Sequence, residues 1–286
     1  MKSIISIQSH FVSGHVANSS AIFPMQKMGV EVWPIHSAQI SSTTERKNRN
    51  SEQSRGAREI HARMGGLKDS GKLVDCGAIL AGYQGSRLQH QAIVDAVKLV
   101  KEYNPEALFI YEPEFQNDEN SLYSSNKVLD VIAQTLIPMS DAAILSEHEL
   151  SELTQLNIES LDEAVTACEE VLKTGTKMVI VKGINLLETD TYNLLLTTRY
   201  ASFVASLPKI NFDEKVLGIG NLFSALFTAG LVRNIRPLES FRHALNAAYG
   251  VLEITNEQGK YELQIIDAQY EFVEPTHEFE VLKLSR

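Results

Sequence analysis

The sequence predicts a single α/β domain whose central sheet is mostly parallel and covered by helices on both faces. Three observations carry this. Short apolar runs such as Ser3–Gln8, Ala107–Tyr111 and Lys177–Lys182 read as buried strands. Helix-length stretches lie between them, which is the alternation of a parallel sheet. No repeat, low-complexity stretch or linker divides the 286 residues, so one domain is expected.

Taken in order, Ser3–Gln8 is the first strand and Asn18–Met28 a helix that stops before Gly29. Glu31–Ile35 is the second strand, with Pro34 marking an edge or an end. The polar segment Ser41–Arg58 carries Arg46, Lys47, Arg49, Arg55 and Arg58 and reads as a solvated loop or a flap over a ligand. Gly77–Leu80 is apolar and runs into the loop Gly82–Gly85. Leu88–Tyr103 is amphipathic and is broken at Asn104-Pro105. Ala107–Tyr111 stops at Glu112-Pro113, and Ala142–Leu145 is a further strand. Leu161, Ala164, Val165, Cys168, Val171 and Leu172 share one helical face, and Gly175 stands where a C-cap would. After Lys177–Lys182, Tyr192–Thr197 and Arg199–Ser206 read as a more exposed strand pair. Helices are then expected over Leu222–Val232 and Leu238–Ile254, with a short one after Tyr261.

Composition excludes several classes of function. Lys plus Arg is 26 and Asp plus Glu is 36, a formal net charge of −10. Such a surface repels phosphate backbones and anionic membranes, so neither nucleic acid nor a membrane is an expected partner. No apolar run is long enough to span a bilayer. The start, Met1–Gln8, is too short and polar for a signal peptide. The 2 cysteines, Cys76 and Cys168, form neither a disulfide framework nor a zinc site and read as thiols of a reducing cytoplasm.

Ligands of open parallel sheets bind beyond the carboxyl ends of the strands, so the chemistry is sought there. Ser9 and His10 follow the first strand, without the Gly-x-Ser-x-Gly elbow of a hydrolase. Gly218-Ile219-Gly220-Asn221 precedes a helix, where outward backbone N–H groups suit an anion or make a simple turn. Lys182 ends its strand and is placed either to meet a phosphate or to face water. Glu112 and Glu149 lie just past two strands, as carboxylates for a hydrated Mg²⁺ or as surface acids.

In order along the chain, IQSH (Ile7–His10), NSSAIFPM (Asn18–Met25), GVEVWP (Gly29–Pro34), GYQGS (Gly82–Ser86), Val181-Lys182, GIGN (Gly218–Asn221) and YELQIIDAQ (Tyr261–Gln269) resemble the bacterial pyridoxal/pyridoxamine kinases of the ribokinase-like superfamily. The resemblance covers nearly the whole chain. It implies a three-layer α/β/α fold and ATP- and Mg²⁺-dependent phosphorylation of the 5′-hydroxymethyl group of a B6 vitamer. By position, Ser9, Thr44 and Tyr83 resemble residues that contact the pyridine ring and its substituents. Lys182 resembles a nucleotide-contacting lysine, Leu207–Ile210 (with Pro208) a stretch near ATP, and Gly218 and Gly220 the anion hole. A homodimer is also implied.

The departures from the family pattern cluster. The anion-hole motif ends in Asn221 where the family has the aspartate that takes the substrate proton; general-base catalysis contributes ~10²–10⁴-fold. The family's Asp-Pro-x-x-Gly is here Glu112-Pro113-Glu114-Phe115-Gln116, its Asn-x-x-Glu is Ser146-Glu147-His148-Glu149, and its flap keeps only Thr44 within Thr43–Lys47. The expected function is therefore a pyridoxal kinase impaired at Asn221. The alternatives are a non-catalytic vitamer-binding relative and a kinase for another small hydroxylated substrate.

Overall fold

The computed structural model describes residues 2–42, 53–82, 86–113, 126–184 and 190–285. Among them a nine-stranded sheet runs in the order β2-β1-β3-β4-β5-β6-β7-β8-β9. Strands β1 (Ser3–Phe11), β2 (Glu31–Ile40), β3 (Cys76–Ala81), β4 (Leu108–Tyr111), β5 (Ala142–Ser146) and β6 (Met178–Ile184) pair in parallel. The antiparallel strands β7 (Thr191–Thr198), β8 (Ser202–Pro208) and β9 (Val281–Lys283) complete the sheet.

Both faces are covered because the parallel strands are apolar on both sides. Ile5, Ile7, Phe109, Leu145 and Val181 pack under α2 (Gln53–Asp69), α3 (Arg87–Tyr103) and α7 (Leu161–Lys173). Ile4, Leu80, Ile110, Ile144 and Ile180 pack under α1 (Asn18–Lys27), α8 (Ile219–Val232) and α9 (Pro237–Glu257). Between β4 and β5 the chain forms α4 (Asn126–Val131), a π-helical turn (Ile132–Leu136) and α5 (Ile137–Met139), and α6 (Glu147–Thr154) follows β5. No helix among the described residues is long and apolar enough to cross a membrane. Cys76 and Cys168 are free and buried, and burial pushes each thiol up to about 12, which leaves both unreactive at neutral pH.

Several expectations are corrected. Of the two readings of Pro34, an edge or an end, only the end is overturned: β2 lies at the edge and continues to Ile40. Pro34 lies opposite Ser6 on the outermost described strand, where a missing N–H costs no ladder bond. The segment read as a loop or flap over Ser41–Arg58 is helical from Gln53, where α2 begins, and Ala57, Ile60 and Met64 supply the buried stripe of that helix. Thr44 and the rest of 43–52 lie outside the described residues. The pair β7 and β8 is less exposed than expected, because β9 takes the edge and Asn193–Thr197 is buried. No helix follows Tyr261: the segment from Ile265 is a run of tight turns, closed by bonds such as Glu271 N–H to Ala268 O (3.0 Å).

The ends of β1 and β2 are irregular. Gln8 pairs with His36 but His10 pairs with Gln39, a bulge that brackets Ser9. The chain then turns back on itself. Ser19 Oγ accepts from Phe11 N–H (3.0 Å) and donates to Phe11 O (2.6 Å), and His10 forms a bridge with Ala17.

Candidate active site

Two glycines open α8, and each is required by a different neighbour. Gly218, the N-cap, has φ +89°, and a Cβ there would lie 2.0 Å from His15 O. A Cβ on Gly220 would lie 2.7 Å from Lys182 Nζ and 3.0 Å from Glu112 Oε1. The first turn of α8 therefore sits directly against a cation and a carboxylate.

That pair is buried. Lys182 Nζ donates to Glu112 Oε1, and Glu112 is 1% exposed. Breaking a buried ion pair by removing one partner costs about 3–5 kcal/mol. The two residues come from β4 and β6, with β5 between them, and the register partner of Lys182 on β5 is the small Ser146. Backbone placement is firm as well: Glu112 N–H donates to Ala81 O at 2.9 Å.

Asn221 completes the group. It is 1% exposed, its Oδ1 accepts Ala17 N–H at 2.9 Å, and its Nδ2 faces Glu112 Oε2 at 3.4 Å. The backbone N–H of Ala17 can only donate, so the amide is oriented without ambiguity. Ala17 itself holds φ 53°, a conformation that costs a non-glycine residue of order 1–3 kcal/mol.

A cavity of about 170 Å³ opens beside this group. Lys182 and Gly220 stand on its wall with Tyr192, while Leu207, Pro208, Ile210, Phe223, Leu245 and Leu252 make it apolar. The expected nucleotide residues Lys182 and Pro208 thus line one cavity, next to Gly220 of the expected anion hole. A site of this shape accepts a flat apolar group in the cavity and directs its anionic end to Lys182 and α8.

At the other end, around Ser9, polar groups converge. Ser9 is 5% exposed. Asn18 ties β1 to β2: it accepts from Ser6 Oγ (2.7 Å) and donates to Gln8 O (3.2 Å) and Ile35 O (3.3 Å), with His36 Nδ1 at 3.1 Å. The rings of His10 and His36 lie 4.4 Å apart. Burial lowers the His36 pKa, and His10 lowers it further. Gly82 is packed against the Gln8 side chain, and a Cβ there would lie 3.0 Å from Gln8 Oε1. Tyr83 lies outside the described residues.

Glu149 has a structural duty that its position past a strand did not reveal. Its Oε2 accepts Ser146 N–H at 2.6 Å while Ser146 Oγ accepts Glu149 N–H at 3.3 Å, a capping box on α6. The signal was present as Ser-x-x-Glu at Ser146–Glu149. Burial first, and the Glu149 charge second, push the Tyr111 phenol well above its usual range. No cluster of 3 or more metal-ligating side chains occurs among the described residues. The carboxylates at the strand ends fit an ion that keeps its water and phosphate ligands and takes one or two protein oxygens, the usual manner of Mg²⁺. Ala17, Asn18 and His36 are site residues that sequence reasoning did not single out individually.

Comparison with known proteins agrees with this architecture. Residues 86–265 match the model of the phosphomethylpyrimidine kinase family. A protein of Vibrio parahaemolyticus named pyridoxal kinase PdxY is 41% identical over 281 residues, covering 98% of this chain and 97% of that protein. A protein of the same name from Photobacterium profundum is 40% identical over 285 residues, with 100% and 98% coverage. Among solved structures, Plasmodium falciparum PdxK with AMP-PNP and PL superposes with a TM-score of 0.85 at 19% identity, each chain covered completely. Pyridoxal kinase from Leishmania donovani, in complex with ADP and pyridoxamine, gives 0.86 at 22% identity, again over 100% of both chains. With relatives this similar over nearly their full length, the chain belongs to the pyridoxal kinase family.

Proposed function

We propose that the protein transfers the γ-phosphoryl group of ATP to the 5′-hydroxymethyl group of pyridoxal or a related B6 vitamer. The observation that carries this reading is the bond from Ala17 N–H to Asn221 Oδ1. It joins the Ser9 end of β1, where the vitamer would lie, to the anion-binding turn of α8. Phosphoryl transfer depends on positioning and charge stabilisation, and a direct tether between the two half-sites serves both.

The roles follow from chemistry. Ser9, with Thr44 and Tyr83, holds the vitamer. Lys182 meets the nucleotide phosphates, and Leu207–Ile210, including Pro208, flanks the base. Gly218 and Gly220 present α8 amides to the transferring group. Magnesium, when bound, neutralises phosphate charge; Glu112 and Glu149 are the carboxylates on offer, each already engaged by Lys182 or by the α6 cap. A homodimer is the proposed assembly. Asn221 makes the transfer slower than with a carboxylate at that position.

A second reading has one observation in its favour. Asn221, Glu112 and Lys182 bond one another in a buried network, which suits a vitamer-binding relative without catalysis. Calorimetric titration with pyridoxal and, separately, with Mg·ATP distinguishes the two, followed by ADP release at saturation. Binding of both ligands with turnover supports the kinase. Saturable pyridoxal binding without Mg·ATP binding supports the second reading.

A further inference from the structure

The described residues that line the apolar cavity include no carboxylate, amide or imidazole side chain. A base seated there is held by packing rather than by side-chain hydrogen bonds, and flat rings supply most contact area. Three rings stand on its wall. Tyr192 lies at the phosphate end, packed so closely on Gly183 that a Cβ there would lie 3.2 Å from the ring. Phe223 is 3% exposed and belongs to the core, against Phe227 and Phe241. Tyr249, on α9, is half-buried.

Tyr249 is braced by residues that do not line the cavity themselves. His277 and Phe279 meet its ring edge to face, with centroids 4.8 and 4.7 Å away, and stack on each other at 5.4 Å. Both are fixed to α9 in turn. His277 Nε2 donates to Glu253 Oε2 at 2.8 Å, and Phe279 N–H donates to Asn246 Oδ1 at 3.1 Å. Just upstream, Glu271 is 1% exposed and accepts Thr276 N–H (2.9 Å) and Thr276 Oγ1 (2.7 Å). It reaches that place because Gly250, next to Tyr249, has no side chain: a Cβ there would lie 2.4 Å from the Glu271 carboxyl. Downstream, the same segment becomes β9 and pairs Val281 with Ala205 of β8, shortly before Leu207 and Pro208 on the cavity wall.

We propose that Tyr249 is the ring on which the base of ATP packs, and that the C-terminal segment 271–283 positions it by tying the α9 wall to the β8 wall. This rests on reading the cavity as the nucleotide site. Tyr249 is a binding residue; His277 and Phe279 are positioning residues that act through its ring. Two edge-to-face contacts remove the freedom of the tyrosine before the nucleotide arrives, so less entropy is lost on binding. The phosphates lie at the other end, at Lys182 and Gly220, so the affinity for the base and the affinity for the phosphates are separable.

The test separates them. The full chain is titrated by calorimetry with Mg·ATP and with Mg·tripolyphosphate, which has no base. Tyr249→Leu keeps apolar bulk and removes the ring. It should weaken Mg·ATP ~10-fold or more, since stacking of a base on an aromatic ring contributes at least that much, and leave tripolyphosphate within about twofold. Tyr249→Phe should recover most of the loss. His277→Ala should weaken Mg·ATP by ~2–10-fold, the worth of an aromatic pair. Added to Tyr249→Leu it should cost nothing further, because its effect passes through the ring. A cooperative urea transition confirms that each variant is folded. The proposal is overturned if Tyr249→Leu leaves Mg·ATP binding within about twofold of the parent, if it weakens tripolyphosphate equally, or if His277→Ala keeps its full effect beside Tyr249→Leu. Absence of Mg·ATP binding by the unaltered protein overturns the nucleotide reading of the cavity itself, whereas ATP binding indifferent to Tyr249 overturns the proposal alone.

Discussion

The side-chain oxygen of Asn221 accepts the backbone N–H of Ala17, joining positions 204 residues apart at 2.9 Å. Ala17 adopts its φ of 53° to make that bond, and Gly218 beside it is excluded from carrying a side chain by His15 O. The turn between β1 and α1 and the first turn of α8 are therefore built against each other.

Replacing Gly218 tests this contact. Gly218→Ala places a methyl 2.0 Å from His15 O and forces an alanine into φ +89°. A loss of at least ~1–3 kcal/mol is expected in urea denaturation, with activity lost as the turn moves. Ala17→Gly is expected to run the other way: relief of strain outweighs the entropy of the added glycine, and stability is kept or raised by up to about 2 kcal/mol.

The ion pair beneath α8 has its own signature. Lys182→Met strands Glu112 in a 1% exposed position and should cost about 3–5 kcal/mol in chemical denaturation at neutral pH. Adding Glu112→Gln to it should recover most of that loss, because no buried charge is then unpaired. A double-mutant cycle measures the coupling directly.

Ser146→Ala removes one half of the α6 capping box and should destabilise the protein by ~0.5–2 kcal/mol. Hydrogen exchange should localise the effect to the first turn of α6. The Glu149 carboxylate is held by the backbone N–H of residue 146, which the substitution keeps, so it should stay in place.

His90 predicts a pH dependence of stability. Burial lowers its pKa from 6.5 to about 4, against a smaller opposing bond from Nδ1 to Ser86 O at 2.7 Å. The unfolded chain therefore binds the proton first, and stability falls as pH drops from about 6.5 toward 4. The shift corresponds to a loss of about 3 kcal/mol at the acid end. His90→Gln should flatten that part of the curve in denaturant titrations at stepped pH.

Much of this molecule is legible in its sequence, for identifiable reasons. The runs ending at Tyr111 and Lys182 announce themselves because strands buried on both faces must be apolar throughout. Helix α7 is legible through its one-sided stripe. Helix α2 is harder to see, because its buried Ala57, Ile60 and Met64 stand among arginines and glycines. At Pro34 the edge reading holds, and the strand runs on to Ile40. Gly218, Gly220, Asn221 and Lys182 converge as their positions suggested. The pairing of Lys182 with Glu112 was not legible: they are 70 residues apart and reach each other across a third strand. Nor does any sequence pattern mark the φ of Ala17, which long-range packing imposes.

The sheet changes direction at β6, where the last parallel strand meets antiparallel β7. Lys182 stands on that seam. The apolar cavity lies on the antiparallel side, against Tyr192, Leu194, Leu207 and Pro208, while Ser9, Asn18 and His36 belong to the far parallel side. Asn221 bridges the two sides, its oxygen on Ala17 N–H and its amide nitrogen toward Glu112. A change at Asn221 is therefore felt on both sides of the sheet at once.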